Sequence, residues 1–555
     1  MPLDFYDPKV SFYPIYSPRT GELPFLRYNH DVDIIRFKGI FFALWNANET
    51  PAEGVPGQYN YLSWSKDFIT WSKPIKPFTA SGGCINPVET DNQWQPSLIN
   101  WNDEILFCAW CDYKSDRTFV ASSEDGFHWK NTEVPSAPPE LAGKVTAFPS
   151  NHGLLLKDGT MLFPASLPDC DGNFIVGNTR YAAALISTDK GKNWNWGNPV
   201  IAESWDIYDG PASQHPDTPA PTIWEPMIYE ENDGVLGMLI RNSSSQDDPE
   251  LDPLMKPHWM LLYARSSDGG RSWTKCRPVE VDTIISRNFA TVLPEADHAL
   301  LMIMNDWIVN TPARIDGDRF NLAFFVSPSG DPDLLLPGPL VQPPAGRAFY
   351  PNGFAEDGKL YLAYTYPNSI MGTVVESLPD FSKPFLMKRA GRTGLVFDEE
   401  NNIIRLGHRW STLCVVLTRK QTQAEAVTLS GTFELFYRRE ESFPLLTVGG
   451  KTRNGGVLAT AWDAETAEDI LIWLDSDGSS EKLAAVKMRK KFNISVTLTR
   501  NNLTIFLDGG KVMDRHGEYL RKFAFGGLYE TPEYPTGRAM TQEIRIFTDT
   551  IQITV

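Results

Sequence analysis

The sequence predicts an all-β protein of two domains, and three observations carry that prediction. Aromatic and turn residues are abundant, with 17 Trp, 19 Tyr and 31 Phe beside 41 Gly and 42 Pro in 555 residues. Apolar runs are short and alternate with polar residues, as half-buried strands require, and long amphipathic helical patterns are missing from the sequence. A turn pattern also recurs. "SSEDGFHW" at 122–129, "STDKGKNW" at 187–194 and "SSDGGRSW" at 266–273 share the form Ser-x-acidic-x-Gly-x-x-Trp. A shortened relative, "SKDFITW", occupies 65–71, and "SPSGDPD" at 327–333 is a decayed copy. Their spacing of about 60 to 80 residues is too long for a solenoid and suits a four-stranded propeller blade with insertions. A chain of this length also exceeds one ordinary core.

Six hairpins of one design accompany these turns: "NHDVDIIRFKGIFFALWN", "WQPSLINWNDEILFCAWC", "PSNHGLLLKDGTMLFPAS", "WEPMIYEENDGVLGMLIRN", "RNFATVLPEADHALLMIMND" and "FYPNGFAEDGKLYLAYTY". They predict a six-bladed propeller over residues 1–394, or a seven-bladed one if the N-terminal segment and "LVFDEENNIIRLGHRW" complete a further blade. In each hairpin a polar or aromatic residue stands eight or nine positions before the turn. These are His30, Gln95, Asn151 with His152, Glu225, Asn288 and Tyr350. Blades are arranged radially, so equivalent positions converge on the central channel. The cross-strand neighbours Trp45, Asn46, Trp110, Asp306, Trp307, Arg241 and Tyr366 are expected to add stacking platforms and charge, with Arg319 and Arg347 as further binding residues. Glu225 and Arg241 are equidistant from Asp233 in "EENDG", which sets them side by side across a ladder. An exposed pair there would stabilise little; at the channel mouth the same pair would meet a ligand.

After residue 394 the turn pattern stops. "GTFELFYRRE" and "FNISVTLTRNNLTIFLDGGKV" alternate with period two and turn at Asn501–Asn502 and Asp508–Gly509. Residues 395–555 resemble a concanavalin-type or laminin-G-like β-sandwich, which implies an accessory role.

The formal net charge of −18 disfavours nucleic acid and anionic membranes. It leaves room for an acidic oligo- or polysaccharide captured by a few local arginines. No run is long and apolar enough to span a bilayer, and "MPLDFYDPKV" lacks signal-peptide regions. The chain reads as a cytosolic protein or as a mature secreted form with an added Met. The sequons at Asn48, Asn242, Asn493 and Asn502 are compatible with the second, so an extracellular monomer is expected. Six Cys make no disulfide framework, and the lone Cys108-x-x-Cys111 lacks a partner pair at zinc spacing. No metal and no cofactor are expected.

The repeated turns are similar to the Asp boxes of the sialidase-like propeller superfamily, over roughly residues 20 to 390. That resemblance implies carbohydrate chemistry. Sialidases use three arginines on the substrate carboxylate, a Tyr nucleophile paired with Glu, and an Asp acid. Glu225 and Arg241 resemble that Glu and the second arginine; Arg319 resembles the third, and Tyr350 the nucleophile. Where sialidases carry Arg-Ile-Pro, this chain reads Asn29, His30 and Asp31, with Arg27 out of step. Where an Asp is expected before the first box, "PGQYNYLS" offers Gln58. The "NHD" and "PGQ" segments resemble a neighbouring branch of α-L-rhamnosidases and rhamnosyl-glucuronate lyases. A uronate lyase needs cations on the carboxylate, a base and an acid. Arg241 and Arg319 would serve the first need, and Tyr350 with His30 or His152 the others. The preferred reading is therefore an exo-acting lyase on rhamnose-capped glucuronate. An exo-glycoside hydrolase (rhamnosidase or sialidase-like) and a non-catalytic glycan-binding propeller are the alternatives.

Overall fold

The computed structural model describes residues 3–168, 181–201, 223–232, 234–242, 260–282, 286–306, 319–344, 346–389, 395–398, 400–407, 411–437, 442–450, 455–476, 478–528 and 543–555. Among the described residues regular structure is almost entirely β, with one short α-helix, Arg419–Gln423. Six consecutive antiparallel sheets form the blades. Their innermost strands are Tyr28–Phe37, Gln93–Trp101, the broken pair Phe148–Pro149 and Leu154–Leu155, Ile223–Asn232, Phe289–Leu293 and Phe349–Glu356. Each inner strand packs against the next, and the last against the first, so the ring is closed.

Closure comes from the N-terminus. Val10–Tyr16 pairs antiparallel with Ser369–Val375 and becomes the fourth strand of blade 6. The N-terminal segment therefore completes the sixth blade and does not begin a seventh. "LVFDEENNIIRLGHRW" lies elsewhere too: Leu395–Asp398 and Ile403–Leu406 belong to a seven-stranded sheet with Glu543–Thr554 and Ala426–Tyr437. That sheet faces an eight-stranded one across a core that includes Leu406, Phe433, Leu446, Trp473, Phe525 and Ile546. The eight-stranded sheet takes in Phe385–Lys388 and, in parallel pairing, the N-terminal Asp4–Tyr6. One N-terminal segment thus joins both domains. In the seven-stranded sheet, Asp508 and Gly509 both have positive φ (47° and 83°), the conformation that a two-residue hairpin demands.

The box turns explain the blade edges. Asp67, Asp125, Asp189 and Asp268 each accept backbone N–H groups one turn ahead, for example from Ile69 and Thr70 at 2.9 and 2.8 Å. Trp71, Trp129 and Trp273 close the loop by donating to the carbonyl three residues back. The copy at 122–129 is one residue shorter than its spelling suggests. Its working pair is Ser123 with Asp125, and Gly126 bonds back to Ser123. It therefore matches the short box at 65–71, where Phe68 takes the left-handed conformation (φ 63°) that Gly126 adopts (φ 82°).

These tryptophans differ in burial. Trp194 is 5% exposed and packs on Phe107 and Phe163, whereas Trp273 is half-buried. Trp194→Ala should destabilise the protein by about 3–5 kcal/mol, and Trp273→Ala by less. Chemical denaturation checks the order; a Trp194→Ala protein of unchanged stability would show that the box is not a structural staple.

Candidate active site

The inner strands share one irregularity. In blades 1, 2, 4 and 6 the ladder slips between His30 and Asp33, Trp94 and Ser97, Trp224 and Met227, and Phe349 and Asn352. At the slip stands a non-glycine residue with positive φ: Asp31 (54°), Gln95 (43°), Glu225 (48°) and Tyr350 (60°), joined in blade 3 by Asn151 (65°). Such a bulge bends the strand and re-aims one side chain. Blade 5 pairs without a bulge from Phe289 onward. The repeated position in blade 1 is therefore Asp31; His30, chosen from the sequence, is its predecessor and aligns with Trp94, Trp224 and Phe349. The readable signal was the run aromatic-x-Pro in "WQP", "WEP" and "FYP", against which "HDV" fixes the register.

Glu225 and Arg241 sit inside the molecule, 1% and 2% exposed. The ladder partner of Arg241 is Trp224, and the bulge turns Glu225 toward it. Arg241 Nη1 donates to Glu225 Oε2 and to Tyr350 Oη, both at 2.7 Å. Burial pushes the Tyr350 phenol well above its ordinary range; Arg241 and Arg319 oppose the shift and Glu225 adds to it. Two further guanidiniums, of Arg319 and Arg287, each lie 4.9 Å from the Tyr350 ring centre. Arg287 escaped the sequence reading, which stopped at its neighbour Asn288. It is fully buried, and among the described residues none of its three guanidinium nitrogens has a hydrogen-bond acceptor. The carboxylate of Asp31 approaches it at 3.7 Å.

Acids gather opposite these cations. Asp31 is 1% exposed, and burial pushes its carboxyl up to about 8, with Glu53 and Glu225 adding to the shift and Arg287 and Arg319 opposing it. With its amide nitrogen turned inward, Asn46 donates to Asp31 Oδ2 at 3.0 Å. Glu53 is the acid that the sequence reading missed. It stands in the loop before Gln58, and burial of its carboxyl raises its pKa. Gln58 itself braces that loop, accepting from Gly54 N and donating to Gln93 O. His30 bonds Thr365 Oγ1 at 2.9 Å and lies 4.2 Å, centre to centre, from Tyr350. Burial, with Arg319, Arg287 and Arg241 facing it, holds His30 well below its ordinary pKa, so its ring is neutral. Ligand atoms of His30, Asp31 and Glu53 fall within 4.8 Å of one another. Three guanidiniums over the same space make it a receptor for an anion rather than a cation.

The other predicted residues divide. Among the described residues Gln95 Oε1 has no protein partner, and Asn288 is fully buried with neither amide atom bonded. Asn151 clips blade 3 to blade 4, donating to Glu225 O and Pro226 O at 3.1 and 2.8 Å. His152 belongs to a deeper layer: its Nδ1 meets Asp33 Oδ1 at 2.9 Å, beside a channel cavity of about 290 Å³ that Met227, Phe289 and Phe354 also line. The structure thus places His30, and not His152, against Tyr350. Trp45 and Trp110 are corrections, because both are fully buried between blades and neither can stack on a sugar. Trp45 donates to Asn29, and Trp110 lies between Phe78 and Phe119. Second-strand side chains alternate toward the neighbouring blades, which sequence spacing from the turn does not reveal. Tyr366 abuts Gly346, Arg347 is exposed, and Asp306 is committed to Arg389. Trp307 lies outside the described residues. Cys108 and Cys111 are buried free thiols.

The fold is a six-bladed β-propeller whose inner strands converge on one polar site. Residues 59–334 of the chain match a family model described as a BNR repeat-like domain. Its architecture is similar to Trypanosoma rangeli sialidase in complex with 2,3-difluorosialic acid as a covalent intermediate, at TM-score 0.51 and 12% identity over 99% of this chain and 97% of that one. The same organism's sialidase in complex with the inhibitor DANA gives 0.50 and 13% over 97% and 96%. At such identity the likeness is one of fold. No curated protein matches the sequence.

Because the Arg241–Glu225 pair is buried, Arg241→Ala should destabilise by about 3–5 kcal/mol, far beyond an exposed pair, and adding Glu225→Ala should recover part of the loss. Denaturation of the two proteins checks this. Asp31 gives a second expectation. Its folded pKa lies above its unfolded one, so the folded state holds the extra proton, and ionisation with rising pH destabilises it. Asp31→Asn should therefore gain thermal stability relative to wild type as pH rises from about 4 to about 8; a constant difference would show that Asp31 titrates normally.

Proposed function

We propose that this protein is an exo-acting carbohydrate-active enzyme that removes a terminal acidic sugar from a glycan by glycosidase-type chemistry at Tyr350. One observation carries the reading: Arg241 is hydrogen-bonded at once to Glu225 and Tyr350, with the guanidiniums of Arg287 and Arg319 over the same phenol ring. The cations suit a sugar carboxylate. A neutral phenol approaches such an anionic sugar without charge repulsion. Its proton passes toward Glu225, whose Oε1 has no protein partner and whose charge already disfavours the phenolate. Glu53, whose pKa desolvation raises, is the acid for the leaving oxygen, and Asp31, pushed up to about 8 by burial, stands beside it. The natural substrate in this reading is an acidic oligo- or polysaccharide, met outside the cell by a monomer.

A second reading, β-elimination from rhamnose-capped glucuronate, is favoured by the neutral His30 ring against Tyr350, a base ready to take a proton. Products separate the two. A hydrolase releases the intact sugar acid, whereas a lyase leaves a conjugated unsaturated uronate that absorbs in the ultraviolet. Tyr350→Phe should lower turnover by about a thousandfold or more in the hydrolase reading. Glu225→Gln should then lose nearly all activity, but retain much of it under elimination, where Glu225 only orients Arg241. Glycan binding without any product from wild type would overturn both.

A further inference from the structure

Arg287 is the least compensated group in the site. It stands two residues before the inner strand of blade 5, Phe289–Leu293, which pairs in unbroken register. Its guanidinium is 0% exposed, is stacked on Tyr350, and finds no acceptor within hydrogen-bond reach among the described residues. A buried charge left in this condition destabilises a fold, and such strain persists where a ligand relieves it. The nearest carboxylate oxygen, Asp31 Oδ1, also lacks a hydrogen bond and stops at 3.7 Å. A ligand carboxylate would complete the guanidinium fork. Two carboxylates crowded on one guanidinium in low dielectric repel, which favours a proton on one of them.

We propose that Arg287 and Asp31 form a proton-linked carboxylate subsite, in which Arg287 takes the sugar carboxylate in a two-pronged contact and Asp31 holds a proton against it. This rests on the acidic-sugar reading above and deepens it. The cation that the blade 1 segment Asn29-His30-Asp31 lacks is supplied from blade 5, and the blade 1 position becomes an acid. Among the described residues the charged and titratable groups facing Asp31 are Arg287 and Arg319 from blade 5, Glu225 from blade 4, Glu53 from the adjoining loop, His30, Tyr28 and Tyr350 beside it, and the buried Cys111 thiol of blade 2. Ionising Asp31 adds a second negative charge where the sugar carboxylate docks. Acid-sugar affinity is accordingly high below the Asp31 pKa and falls as pH rises through it.

The test is calorimetric titration of D-glucuronate and N-acetylneuraminate, with their methyl esters as neutral controls, from about pH 5 to about pH 9. Wild type should bind at least one acid, with affinity falling about tenfold per pH unit once Asp31 ionises. Asp31→Asn should flatten that dependence. Arg287→Met should weaken acid binding by at least about thirtyfold and leave ester binding nearly unchanged. Its melting temperature should equal or exceed that of wild type, because a buried uncompensated charge is gone; a merely structural arginine would give a drop. Acid binding indifferent to Arg287→Met, a flat pH profile in wild type, or a melting temperature lowered by Arg287→Met would overturn the subsite while leaving the acidic-sugar reading standing. Failure of wild type to bind either acid would overturn both.

Discussion

Positive φ at the start of the inner strands is the constraint on which the site depends. A regular strand sends alternate side chains into the two neighbouring blades and presents only its backbone edge to the channel. In five of the six blades a left-handed residue breaks that alternation, and in four of these a slipped ladder accommodates it. Asp31, Gln95, Asn151, Glu225 and Tyr350 are all held this way. A non-glycine residue adopts this conformation at a cost of order 1–3 kcal/mol, so the packed blades around it must over-determine it. The Asn151 amide, which bonds the backbone of Glu225 and Pro226, is one such brace, and Ser166 Oγ, which accepts from Glu225 N at 2.7 Å, is another.

The electrostatics of the site run against those of the molecule. A chain of net charge −18 concentrates three guanidiniums around one phenol and sets carboxyls against them. Arg241 has its carboxylate at hydrogen-bond distance there, in Glu225. The opposed groups shift one another in a consistent sense: Asp31 and Glu53 upward by burial, and His30 downward by burial and the surrounding arginines. The pocket therefore sets carboxyls of raised pKa and a neutral imidazole beside permanent cations, a combination suited to receiving an anion and moving a proton.

The sandwich contributes to the same architecture from behind. Arg389 meets Asp306 through two hydrogen bonds of 2.7 Å in a buried setting, and also donates to Leu528 O in the sandwich. Asp306 N in turn bonds Asn321 O, and Ala348 N bonds Arg319 O. Buried Lys522 donates to Glu280 O of blade 4. The backbone that carries Arg319 and leads to Tyr350 is thus tied to the second domain. Breaking a buried pair of this kind leaves an uncompensated charge, so the two domains are coupled through it.

The sequence by itself determined the all-β class, the six hairpins, the box turns and the appended sandwich, because period-two alternation and turn chemistry are local properties. Blade repetition also brought Glu225, Arg241 and Tyr350 to one ring, since it turns sequence position into radial position, and the sialidase resemblance added Arg319. Only the tertiary structure decided the rest. Asp31 replaced His30 at the repeated position because a bulge shifts which residue faces the channel by one. Trp45 and Trp110 went to the core because the neighbouring blades claim those faces. Glu53 was hidden in an irregular loop whose reach no periodicity encodes, and Arg287 stood in the one hairpin that departs from the common design. The N-terminal strands closed blade 6 and extended the sandwich because hydrogen-bonding edges at opposite ends of the chain must be satisfied, and which edge meets which is a long-range matter.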